Sequence, residues 1–361
     1  MAYTTIDNPS EYFKTVLYTG NSTEPRNIDV GFQSDMVWTK DRTVGYHHRF
    51  FDSSRGNVGP WYPNDTKRED FYNDGPEADF SSPYTNGWKI IDNPDGSTGS
   101  VGVNQNTHSM CNWNWLVNGG TTSTNTDGDI NSTVQVNAAA GISIVTWSAT
   151  NTTARSIGHG LGIKPMITIV RNRTREENAR VHASSFSATG ASVLDNTSLH
   201  NTSTTTFTAD STSSVFKVGT DFSVNGNYPY VAYCFAPIKG YSKFGHIQGS
   251  SATATDGTAD DSFVYCGFRP AMVIYKQATD GVADWEMIDT ARDTYNPCND
   301  RLFPSATTVS NTVEYPIDIL STGFKMKDNY NGIGSNGTDY IYMAWAEHPF
   351  VTSTGVPTTA R

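Results

Sequence analysis

Gly31-Phe32-Gln33-Ser34-Asp35-Met36-Val37-Trp38-Thr39-Lys40 near the start of the chain returns as Gly267-Phe268-Arg269-Pro270-Ala271-Met272-Val273-Ile274-Tyr275-Lys276 towards its end. Gly, Phe, Met, Val and Lys stand at the same offsets in both. Between them, Gly160-Leu161-Gly162-Ile163-Lys164-Pro165-Met166-Ile167-Thr168-Ile169-Val170-Arg171 matches once a short insertion is allowed. Each stretch runs from glycine into a short β-branched or aromatic segment, the composition of a strand entered from a turn. Self-similarity at long spacing marks a repeated structural unit and governs how every other motif is read.

Further matches follow in the same order. Asp52-Ser53-Ser54-Arg55 corresponds to Asp289-Thr290-Ala291-Arg292, with no counterpart found in the middle copy. Gly87-Trp88-Lys89-Ile90, Val215-Phe216-Lys217-Val218 and Gly323-Phe324-Lys325-Met326 come next. Each copy closes on an aromatic strand: Met110-Cys111-Asn112-Trp113, Tyr230-Val231-Ala232-Tyr233 and Tyr342-Met343-Ala344-Trp345. The alignment predicts Trp113, Tyr233 and Trp345 at equivalent buried core sites. The fold class is therefore all-β, with three tandem antiparallel β-sandwich, jelly-roll-like domains at 15–120, 141–238 and 239–361. Residues 1–14 read as an N-terminal attachment segment. Residues 121–140, rich in turn formers and poor in large apolar side chains, read as a linker. The short junction Pro237-Ile238-Lys239-Gly240-Tyr241 predicts a fixed relation between the second and third domains.

Composition agrees. Only 17% of residues are charged while 12% are aromatic, which suits sandwiches with polar uncharged faces and opposes a helical bundle. The net charge of −11 argues against nucleic acid and anionic membranes, because phosphate contacts need Lys and Arg. No apolar run is long enough to span a bilayer, and the start MAYTTIDNPSEYF lacks the basic and apolar regions of a signal peptide. Synthesis in the cytoplasm without export is the expectation. Cys111, Cys234, Cys266 and Cys298 lack metal or disulfide spacing and read as inert core thiols.

Chemistry-bearing motifs are thin. Gly332-Ile333-Gly334-Ser335-Asn336-Gly337 fits a dinucleotide fingerprint by letter, but a strand rather than a helix follows, so it reads as a hairpin turn. Asn125-Thr126-Asp127-Gly128-Asp129 lacks the closing glutamate of a calcium loop. The histidines show no metal spacing, and no nucleophile elbow occurs. No catalytic residue, metal or cofactor is assigned. Arg171, Arg173, Arg175 and Arg180 read as a solvated loop partnered by Glu176 and Glu177. The Asp52/Arg55 and Asp289/Arg292 pairs read as structural ion pairs holding a turn. Aromatics that do not repeat between copies, Trp61, Tyr62 and Tyr72, are the candidate glycan contacts, since repeated ones are explained by packing.

Taken together, Tyr18 to Asn21, the Gly-Phe-x-x-x-Met-Val-x-x-Lys pattern, Asp52 to Gly56, Lys239 to Gly245 and Met343 to Phe350 resemble an uncharacterised repeat-domain family. That family recurs in virion structural proteins of marine tailed bacteriophages. The resemblance implies a non-enzymatic, fibre-like or lectin-like virion protein on the particle surface, first of all a tail fibre or spike-type adhesin meeting host glycan. Capsid decoration is the alternative, and a polysaccharide-degrading enzyme the third reading. The expected partners are other virion proteins and further copies of the chain, as a homo-oligomer and by preference a trimer, because loosely joined sandwiches gain rigidity by symmetric association.

Overall fold

The computed structural model describes residues 3–71, 77–80, 84–91, 102–149, 153–250, 262–312, 317–327 and 336–358. The first unit comprises β1 (Phe13–Thr19), β2 (Arg26–Asp29), β3 (Met36–Asp41), β4 (Arg49–Asp52), β5 (Ala78–Asp79), β6 (Gly87–Ile90) and β7 (Ser109–Trp115). After it come β8 (Thr122–Asn125) and β9 (Ser132–Asn137). The second unit holds β10 (Ile142–Ser148), β11 (Arg155–Gly158), β12 (Ile167–Asn172), β13 (Arg180–Ala183), β14 (Ser192–Val193), β15 (Phe207–Ala209), β16 (Val215–Val218) and β17 (Pro229–Phe235). The third holds β18 (Ser242–Gln248), β19 (Phe263–Tyr265), β20 (Phe268–Gln277), β21 (Trp285–Asp289), β22 (Ile317–Leu320), β23 (Gly323–Met326) and β24 (Asp339–Pro349).

One topology recurs. The inner sheets run β1-β7-β3-β4, β10-β17-β12-β13 and β18-β24-β20-β21, and the outer sheets β2-β6-β5, β11-β16-β15 and β19-β23-β22. The register fixes equivalences that sequence matching had left loose. Met36 pairs with Trp115, Ile167 with Phe235 and Met272 with Trp345, so these positions correspond. Counting back, Gly31, Gly162 and Gly267 coincide without any insertion, and all three have positive φ, where a side chain would be strained. The third closing strand was misaligned by one pleat period. Trp345 corresponds to Trp115 and Phe235, while Trp113 and Tyr233 correspond to Met343. All three predicted core aromatics are nonetheless buried.

Each sandwich has an interior between its two sheets. Ile28, Val37, Phe51 and Trp88 fill the first, Val145, Val170, Phe216 and Ala232 the second, and Val264, Val273, Ile288 and Phe324 the third. The other faces of the three inner sheets meet one another in a fourth, shared core, which includes Trp38, Trp113, Ile169, Tyr233, Ile274 and Met343. The inner strands are thus covered on both sides. Every residue of β3 and of β12 is buried, the signature of a sheet sandwiched between two layers.

One segment departs from expectation. Residues 121–140 are not a free linker: β8 and β9 form a hairpin that extends the second unit's inner sheet through β10. Thr and Val in Ser132–Asn137 have strand propensity that turn-former composition conceals. The Gln135 side chain also accepts hydrogen bonds from the Ser53 and Ser54 hydroxyls at 2.9 and 2.7 Å, strapping the first unit to the second. Residues 3–13, part of the segment assigned to attachment, pack onto the body. The Tyr3 hydroxyl donates to Gly267 O at 2.8 Å, Ile6 and Phe13 join the shared core, and Tyr12 packs edge-on against Tyr241. The apolar side chains of this segment have the third unit to bury against, which draws it onto the body.

Burial leaves several histidines neutral. His48 accepts from Trp38 Nε1 at 3.0 Å, and His182 stacks on Phe207. Desolvation pulls His182 down to about 4 and lowers His47, His48, His159 and His200 as well. The unfolded chain therefore takes up protons below pH 6.5 that the folded chain refuses, so stability falls as pH drops from 6.5 towards 4. His182 alone accounts for about 3 kcal/mol by pH 4. Asp35, raised by burial to about 6, and Asp195, also raised, act in the opposite sense but are outnumbered. Melting temperature should fall between pH 7 and 4.5; a flat or rising profile would contradict the neutral-histidine account.

Candidate functional site

The residues with the most chemical potential lie at the seams between units. Asp52 ends β4 and Asp289 ends β21, and each shapes the turn that follows. Oδ1 accepts the backbone N–H three residues on at 2.9 Å, and Oδ2 takes Nε of Arg55 or Arg292 at 2.5 Å. The arginines then reach back to Phe50 O and Met287 O, both at 3.0 Å, and outward to Glu69 and Asp300. Burial opposes charge on Arg55, but Asp52, Tyr233 and Glu69 outweigh it and hold the guanidinium protonated.

These pairs do more than hold turns, because a neighbouring unit docks on each. Tyr233 of the second unit donates its hydroxyl to Asp52 Oδ2 at 2.7 Å. Trp113 of the first donates Nε1–H to Asp289 Oδ2 at 3.1 Å. Burial first, and then Asp52, drives the Tyr233 hydroxyl well above its usual range, so it stays a donor. By register Ala183 stands where Asp52 and Asp289 stand, which puts Phe186 in place of the arginine. The third unit, which carries Met343 in place of Tyr233, meets the second, whose Ala183 and Phe186 offer no acceptor. Donor and acceptor are missing from the same seam, and all three residues belong to or pack on the shared core.

A second set of seam contacts runs the same way round. Lys40, Arg171 and Lys276 are equivalent by register. Lys40 Nζ donates to Thr307 O of the third unit at 3.0 Å, Lys276 Nζ to Thr197 O of the second at 3.1 Å, and Arg171 to Lys67 O of the first. Each therefore caps a loop carbonyl of the next unit, closing a ring in the order first, third, second, first. Desolvation lowers both lysines to about 8 and Arg171 to about 10.

Two of the three predicted glycan contacts do not reach the surface. Trp61 and Tyr62 are 1% and 0% exposed, and Trp61 donates Nε1–H to the Tyr233 hydroxyl at 2.9 Å while stacking on its ring. Trp61 thus fills the seam with the second unit, while Tyr62 packs edge-on against His47 of its own unit. Tyr72 lies outside the described residues. The arginine cluster is not the solvated loop expected: Arg175 pairs with Glu177, but Arg180 pairs with Asp221, Arg173 bonds Glu69 across the seam, Glu176 pairs with Lys67, and Arg171 is buried. All four cysteines are free and buried, and burial pushes Cys234, Cys266 and Cys298 up to about 12. Among the described residues no group of His, Cys, Asp and Glu is gathered for a metal ion.

Exposed aromatics gather instead on the third unit. Phe263 and Tyr265 of β19 are 44% and 52% exposed and Tyr295 is 79% exposed. By register the β19 pair occupies the positions of Asn27 and Asp29 in β2 and of Ser156 and Gly158 in β11. Tyr295, three residues past Arg292, stands where Val58 follows Arg55. Comparing the copies position by position on strand faces was the signal that could have found them. Beside Tyr295 opens a cleft of about 230 Å³, lined also by Arg269, Asp293, Thr294, Asn296 and Ser321. A larger cleft of about 490 Å³ lies at the first seam, between Asn57, Arg68, Asp70 and Arg173.

A family model described as a domain of unknown function, DUF7483, matches residues 8–349. No curated protein and no solved structure matches.

Proposed function

The chain belongs to the DUF7483 family, whose matched span takes in all three units, and from that premise we propose that the ring of three units works as one body. That body is a non-enzymatic structural protein on the surface of a bacteriophage particle, a fibre- or spike-type adhesin that meets host glycan. The carrying observation is how charge and aromatic surface are distributed. The buried Asp–Arg pairs and seam cations are occupied in joining the units, while large aromatics of the third unit stand out in solvent. A surface built this way is rigid inside and suited to contact outside.

The three units close on one another within a single chain, so the expected trimer would need an interface beyond these seams. A purified sample is therefore expected to scatter light as a single chain of 39.5 kDa, and a stable trimer would show that a further interface exists. To test the function, particles purified to constant density are probed with antibody against the chain. Labelling outside the particle, at the tail, is the expected result; particles lacking the chain would overturn the reading. Labelling spread over the shell, with no glycan bound, would favour decoration. Release of reducing ends from polysaccharide would favour an enzyme.

A further inference from the structure

We propose that the cleft beside Tyr295 is a binding site for a neutral saccharide, held through its hydroxyls and one apolar ring face; the inference rests on the adhesin reading above. Tyr295 is the first observation. A phenol ring 79% exposed leaves apolar surface in water, and nothing comparable stands at the equivalent Val58. The loop that carries the ring is anchored on both sides of it. The Asn296 side chain clips to the edge of β22, donating to Ile319 O at 2.8 Å and accepting from Ile319 N at 2.9 Å. Asp293 Oδ2 accepts the backbone N–H groups of Asn299 and Asp300 at 2.5 and 3.0 Å. A platform fixed before binding costs little ordering entropy when a ligand arrives.

The polar lining selects the ligand class. Asp293, Thr294 and Ser321 line the cleft, and among the described residues no hydrogen bond occupies Asp293 Oδ1 or the two hydroxyls. One carboxylate oxygen with two hydroxyls nearby is a set that accepts from and donates to neighbouring sugar hydroxyls. The cation in the wall is already neutralised, because Arg269 Nε pairs with Glu347 Oε2 at 2.5 Å. An anionic sugar would thus meet Asp293 with the cleft's arginine already paired, on a chain of net charge −11, whereas a neutral one meets no such repulsion. Stacking against Tyr295 supplies the apolar half of the contact.

The test uses the full chain on an array of neutral and acidic glycans, followed by calorimetry with methyl glycosides of neutral hexoses. At least one neutral glycan should bind. Tyr295→Ala, and separately Thr294→Val with Ser321→Ala, should weaken it by at least about tenfold without moving the melting temperature, while Tyr265→Ala leaves it unchanged. Binding that survives Tyr295→Ala but fails with Tyr265→Ala would move the site to β19, refuting this inference and sparing the adhesin reading. Preference for acidic glycans would refute the assigned chemistry. An empty array would sink both readings together.

Discussion

Asp52→Ala should destabilise the protein by about 3–5 kcal/mol, because it takes the nearest carboxylate from a buried guanidinium, leaving Glu69 at 3.0 Å, and strands a buried hydroxyl. Arg55 is almost wholly enclosed and loses its 2.5 Å partner, and Tyr233 loses the acceptor for its 2.7 Å bond from the neighbouring unit. The molecule itself contains the compensated alternative. At the seam between the second and third units the corresponding residues are Ala183, Phe186 and Met343, an apolar set with nothing to satisfy. Installing that set at the first seam, as Asp52→Ala with Arg55→Phe and Tyr233→Met, should recover part of the loss, the buried Trp61 N–H giving up its acceptor in exchange. Denaturant unfolding of the single, double and triple variants measures the coupling. A triple variant no more stable than Asp52→Ala alone would show that the seams are not interchangeable and that the matched absence of donor and acceptor is coincidence.

Trp345→Ala is expected to cost about 3–5 kcal/mol and to lower the stability of the whole body rather than of the third unit alone. The indole is enclosed by Phe13 and Trp115 of the first unit, Phe235 of the second and Phe244 of the third, with ring centroids 5.4–5.7 Å away. A cavity there removes contacts from all three units together, so the remaining structure cannot retain two intact sandwiches at full stability. Calorimetry should show one transition, shifted down, with Trp147 of the second unit's own interior reporting the same midpoint as the global signal. Two separated transitions in the variant would mean that the units melt independently and that the shared core contributes little to cohesion.

Much of this architecture was legible in the sequence, and for a local reason. Gly31, Gly162 and Gly267 mark turns that demand positive φ, and Trp88, Phe216 and Phe324 recur because each sandwich must fill the same interior. Strand period, turn chemistry and the outer-sheet core are set within one copy, so each copy repeats them. The equivalence of Trp345 slipped by one period because alternate strand positions both carry large apolar residues when both faces of the sheet are covered, and the usual alternation is lost.

Trp61 and Tyr62 are buried rather than exposed for a related reason. Uniqueness to one copy was read as exposure, but a copy-specific residue such as Trp61 can equally fill the gap to a differing neighbour, where its indole bonds Tyr233. The exposed Tyr295 carries no local mark of its own, since exposure follows from where the Arg292 turn and the β22 edge come to rest.

By itself the sequence determined that the chain is all-β, that one unit occurs three times, and which residues turn and fill each unit, because these depend on backbone preference and on contacts within a copy. Only the tertiary structure decided that the three inner sheets share a core, that the presumed linker is a hairpin and that the N-terminal segment packs on the third unit. It also decided that Asp52 and Asp289 serve their neighbours as well as their own turns. Those outcomes depend on which second face each sheet finds to bury against, and that choice belongs to the packed whole rather than to any stretch of chain.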